Sequence, residues 1–119
     1  MRPVVMPVIY PCKITENTTI KEQFKVIKNE VDEAESLVID LNYDNDREEP
    51  AKLCNMTYYN NTSTIQHLKE ELADIITACA TLLYNLPCKK GKDVDVDIAD
   101  TMRFVALKNE YRGRLEEEN

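Results

Sequence analysis

Only 2 of the 119 residues are glycine, one is histidine and none is tryptophan. These scarcities close several routes to function. With no Gly-rich phosphate loop, a P-loop nucleotide site is excluded. The lone His67 leaves no Ser/His/Asp or Cys/His arrangement to build a nucleophile on, and it reads as a flank residue one turn before Glu71. No apolar run approaches the ~18 residues of a membrane span. Cys12, Cys54, Cys79 and Cys88 show neither CxxC nor Cys/His metal spacing, and Cys79 reads as a reduced core residue. Positive charge is also short. Against 22 Asp+Glu stand 15 Lys+Arg, a net charge of −7, the wrong balance for gripping a nucleic-acid polymer. The opening MRPVVMPVIYPCK is interrupted by Pro3, Pro7 and Pro11, whereas a signal peptide needs an unbroken apolar stretch. The expected setting is cytoplasmic, with the N-x-S/T triplets at Asn17, Asn55, Asn60 and Asn61 of no consequence there.

A hydrophobic content of 43% is enough for a core, and the length suits one domain over residues 1–119. The pattern is all-α. A proline-punctuated arm covers residues 1–16. Thr19 and Glu22 then form a capping-box pattern, after which Ile20, Phe24, Ile27, Val31, Ala34, Val38 and Leu41 recur at helical steps to about residue 42. Residues 42–63 are polar and turn-rich, with Tyr58 and Tyr59 as candidate base-stacking residues. A second helix runs from Ser63 or Thr64 to Asn85, with Leu68, Leu72, Ile75 and Cys79 as its seam. After the basic turn 87–93, acids at Asp93 to Asp97 suit the start of a third helix, which continues to about Gly113. The tail 114–119 is expected to fray.

The acids are not scattered evenly. With Ile27, Val31, Ala34 and Val38 as the seam of the first helix, Glu30 lies roughly 60–70° to one side and Glu33 about 60° further round. On the second helix Glu71 and Asp74 occupy the same two offsets with the same sign. An acid-rich chain yields such spacings by chance, but two matching pairs on consecutive amphipathic helices are harder to dismiss. An antiparallel pairing of the two helices brings all four carboxylates to one face beside the core. Clustered, partly buried carboxylates repel, so a hard divalent cation with oxygen ligands, Mg²⁺ or Mn²⁺, is the expected occupant. Such an ion usually serves a phosphate-bearing substrate. The third helix adds Lys108, Asn109 and Arg112, where its seam changes from apolar to basic. They are candidate phosphate ligands, or else cations favourably placed at a helix C-terminus.

NEVDEAE followed by EELADII, with KNEYRGR near the end, resembles the ExxE…ExxD signature of the all-α nucleoside triphosphate pyrophosphohydrolases. That superfamily includes MazG-like proteins, dimeric dUTPases, dCTP pyrophosphatases and phosphoribosyl-ATP pyrophosphohydrolase. The likeness spans roughly residues 18–114. Asn29 stands where the usual pattern has a further Glu, and the 42–63 loop is longer than is common. The resemblance implies a MazG-like helical bundle assembled as a homodimer or homotetramer, with Mg²⁺ on Glu30, Glu33, Glu71 and Asp74. It also implies hydrolysis of a (deoxy)nucleoside triphosphate to monophosphate and pyrophosphate, with Glu30 or Glu33 orienting the water. Alternatives are a noncatalytic nucleotide- or protein-binding module of the same fold, or an enzyme for another nucleotide such as phosphoribosyl-ATP. Leu37, Val26, Phe104 and Leu107 need a cover that one chain does not offer, and the arm is apolar enough to cross a neighbouring subunit.

Overall fold

Thr19 begins the first helix as its spacing foretells. Its Oγ1 accepts from the Glu22 backbone N–H and donates to Glu22 Oε1, both at 3.1 Å, the side-chain cap of a capping-box pair. The computed structural model describes residues 8–43 and 62–113, which form three helices with no strand among them. They are α1 (Ile20–Tyr43), α2 (Thr62–Asn85) and α3 (Val94–Tyr111). The all-α expectation therefore holds, and the element ends fall within a residue or two of the sequence reading. Residues 1–7, the loop residues 44–61 with Tyr58 and Tyr59, and the 114–119 tail lie outside the described residues. Asp95 and Asp97 sit in the first turn of α3, where carboxylates meet the positive helix end. Gly113, at φ +65°, sends its N–H to the Glu110 carbonyl just past the end of α3, a left-handed position that glycine occupies without strain.

α1 and α2 pack against each other, and α3 touches α2 but not α1 among the described residues. The α1–α2 pair is antiparallel. Gln23 Nε2 donates to the Ala78 carbonyl at 3.4 Å, while carboxylate oxygens of Glu30 and Glu71 come together. Seven residues forward on α1 thus match seven back on α2.

That register shifts the seam read from sequence in part, with Ala34 buried and Ile27 half-buried as expected but Val31, Val38 and Leu72 exposed. The buried residues are Gln23, Ala34, Ala78 and Thr81, which share a line with Glu30 and Glu71. Val31 is 43% exposed and Leu72 47%, with Val38, Phe24 and Ile76 also exposed. Leu68, Ile75 and Cys79 are half-buried. Small side chains let the two backbones approach along the contact line, so the bulky apolar stripe of each helix is turned aside from it. Relative to the acids, Val31, Val38 and Phe24 lie about 80–120° round α1, and Leu72, Ile76 and Leu83 about 100–140° round α2 in the same sense. An antiparallel pairing preserves that sense, so the two stripes share one face of the helix pair. Glu33 and Asp74 lie about 60° the other way, on the opposite face.

The described part of the arm is tied to its own chain, where the Cys12 N–H donates to Thr81 Oγ1 at 2.9 Å. Thr81 has no exposed surface, and its hydroxyl donates in turn to the Thr77 carbonyl at 2.8 Å. One hydroxyl therefore ties residues 8–15 to the C-terminal half of α2. Thr81→Val keeps the shape and removes that acceptor, so it should destabilise the fold by about 1–2 kcal/mol. Urea unfolding checks the loss, and hydrogen exchange should show the Cys12 amide losing protection.

Candidate metal centre

Two antiparallel helices with a short-residue contact line give four carboxylates a common meeting place. One oxygen each from Glu30, Glu71 and Asp74 lies within 4.8 Å of the others. Ligands on opposite sides of a Mg²⁺ ion stand about 4.2 Å apart, given its bond of about 2.1 Å, so the spacing suits a single small cation. Glu33 is close enough to act on both Glu30 and Glu71, by charge and through hydrogen bonding. The structure thus brings three of the four sequence-selected acids, Glu30, Glu71 and Asp74, to one point, and leaves Glu33 beside them rather than among them. They differ in depth. Glu71 has a side chain only 13% exposed and Glu30 is half-buried, whereas Glu33 and Asp74 are exposed at the mouth.

The inner pair is electrostatically unhappy. Glu30 Oε2 and Glu71 Oε2 are both buried without a hydrogen-bond donor. Facing carboxylates can satisfy one another only by sharing a proton, or by sharing a cation. Burial is the main cause that lifts the Glu30 carboxyl above the ordinary glutamate range, and repulsion from Glu33 and Asp74 adds to it, while a hydrogen bond involving Glu71 works the other way. Glu71 is also raised, first by burial, then by a hydrogen bond and charge repulsion from Glu33, with Asp74 and Glu30 contributing less. Orphaned oxygens of this kind, on an all-oxygen donor set, fit a hard divalent cation.

The basic residues are not gathered with the acids in the same way. Lys108 and Arg112 are exposed and Asn109 is half-buried on α3, an element with no contact to α1 and no buried residue. Lys108 Nζ lies over the Phe104 ring, 5.9 Å from its centre, and the Arg112 N–H caps the Lys108 carbonyl. His67, read from sequence as a flank residue, is exposed, and its Nε2 is 3.5 Å from Glu71 Oε1. The i, i+4 spacing was the signal available for that contact.

The raised carboxyls make a pH prediction. Between the ordinary glutamate value of 4.5 and the raised native value, the folded chain holds protons that the unfolded chain has released. Stability of the metal-free protein therefore falls as pH rises through that window. In the presence of a chelator, the melting temperature of wild type should drop more steeply across it than that of Glu30→Gln or Glu71→Gln. Parallel pH profiles for wild type and both variants, followed by circular dichroism, would contradict the buried-charge assignment.

No family model matches the chain, and neither does any curated protein or solved structure, which leaves the geometry of the site as the guide to its chemistry.

Proposed function

We propose that the chain is a Mg²⁺-dependent nucleotide pyrophosphohydrolase (with Mn²⁺ as a substitute) of the MazG-like all-α type, converting a (deoxy)nucleoside triphosphate to monophosphate and pyrophosphate. The observation that carries this reading is that Glu30 and Glu71, each with a buried oxygen that has no hydrogen-bond partner, converge with Asp74 to within 4.8 Å. Glu30, Glu71 and Asp74 would hold the ion. When bound, a divalent cation neutralises the carboxylates, engages phosphate oxygens and acidifies a water molecule.

The chain's own residues divide the remaining tasks. Glu33 is exposed at the mouth and lies outside the converging trio, and with a cation holding that trio its carboxylate would orient a water and take its proton. The water oxygen bonds to the α-phosphorus, the bond from that phosphorus to the bridging oxygen breaks, and pyrophosphate departs. Lys108, Asn109 and Arg112 supply phosphate contacts from α3, Arg112 with a planar two-donor fork.

A second copy completes the assembly. Phe24, Val31, Val38, Leu72 and Ile76 are exposed on one face of the α1–α2 pair. Met102, Phe104 and Leu107 are exposed on α3, leaving an apolar surface unusual for a monomer. Covering it with another α1–α2 pair makes a homodimer or homotetramer, with the acids opening on the other side. The free thiols of Cys12, Cys79 and Cys88 suit a reducing cytoplasm, and no helix among the described residues is long and apolar enough to cross a membrane. The separation of Lys108 and Arg112 from the acids within one chain favours, as a second reading, a noncatalytic module that binds a nucleotide or a protein.

A panel of ribo- and deoxynucleoside triphosphates assayed with Mg²⁺ for pyrophosphate release separates the two readings. Turnover of at least one triphosphate is expected, and Glu30→Gln, Glu71→Gln and Asp74→Asn should each lower it by more than about 100-fold with the helices intact. Binding without turnover would select the noncatalytic module. Wild-type rates in any two of these variants would remove the cation site from the mechanism.

A further inference from the structure

Glu71 uses its two oxygens differently. Oε2 is buried without a hydrogen-bond partner, and Oε1 lies 3.5 Å from Nε2 of the His67 ring, while one oxygen of Glu71 converges with Glu30 and Asp74. Among the described residues, His67 is the one side-chain nitrogen within ion-pair reach of any of the four acids. It stands one turn before Glu71, as Asp74 stands one turn after it, and both lie on the face where the site opens. The ring itself is 57% exposed. Solvent therefore reaches it, and packing does not explain its position.

We propose that His67 is a positioning residue for the cation site, holding Glu71 Oε1 from outside so that Oε2 stays aimed at the ion. The inference rests on the cation reading of the acid cluster. A carboxylate that binds an ion through one oxygen can still pivot about its last torsion, and a donor on the other oxygen removes that freedom. Outer donors of this kind orient carboxylate ligands and typically raise metal affinity by about 10–100-fold. A formed N–H···O bond spans about 2.7–3.2 Å, so the contact is open by a few tenths of an ångström, a gap that rotation of an exposed ring closes. Neutral imidazole suffices, since its Nε2–H tautomer donates without added charge. Lysine at this position would introduce a full charge at the mouth, where the incoming ion needs the carboxylates unpaired.

The test is Mn²⁺ binding to the full chain, read from the electron paramagnetic resonance signal of free Mn²⁺, for wild type, His67→Ala and His67→Gln. Wild type should bind saturably, and His67→Ala should bind about 10-fold more weakly. His67→Gln should recover most of the affinity, because its amide N–H reaches a carboxylate four residues on. Electron spin-echo spectra of the wild-type complex should show no directly coordinated nitrogen. Equal affinity in wild type and His67→Ala overturns the role, and so does a His67→Gln variant as weak as His67→Ala. Direct nitrogen coordination also overturns it, by making His67 a ligand. A wild-type chain that binds no Mn²⁺ fails at the earlier step, the cation reading itself.

Discussion

Glu30 and Glu71 place two carboxylates on the line along which α1 and α2 touch, and the rest of the site is arranged around that repulsion. Helix pairs normally reserve such a line for apolar contacts. Here its other members are small or neutral: Ala34, Ala78, Gln23 and Thr81. These bring the helices close and fix the register, which in turn holds the two acids opposite each other. Each keeps one buried oxygen without a hydrogen-bond partner, a cost that a cation or a shared proton offsets.

The same geometry explains the unfinished look of a single chain. Because the contact line is lined by small and polar groups, the strongest apolar stripes of both helices face one side and stay uncovered. Burial of such surface is the main favourable term in folding and association, at about 25 cal/mol per Å², and α1 and α2 together leave much of theirs unused. α3 has no buried residue of its own. The helix pair thus carries its acids on one face and its exposed apolar residues on the other.

Much of this was legible in the amino-acid order, though not the packing. Helix extents followed from period and punctuation, as with the Thr19–Glu22 capping box and the glycine beyond α3. Glu30, Glu71 and Asp74 converge, and paired i, i+3 spacings on two helices point to them without knowledge of the contact line. Periodicity reports which residues share a face, and Ala34 of the first helix's seam is buried as that pattern expects. Val31, Val38 and Leu72 of the same seams stay exposed, and the close approach includes Ala78, whose small size carries little hydrophobic signal. Thr81 and its bond to the arm were invisible for the related reason that a buried threonine looks like any other in sequence. His67 needed the orientation of Glu71 to be known before its contact acquired meaning.

The central claim is that the inner carboxylates are held for a divalent cation. Calorimetric titration of the metal-free protein with Mg²⁺ tests it most directly, run just above the ordinary glutamate value of 4.5 in two buffers of different ionisation enthalpy. Saturable binding with net proton release is predicted, because the ion replaces protons retained by the raised carboxyls of Glu30 and Glu71. That release should shrink in Glu71→Gln. Featureless dilution heats in both buffers would contradict the account.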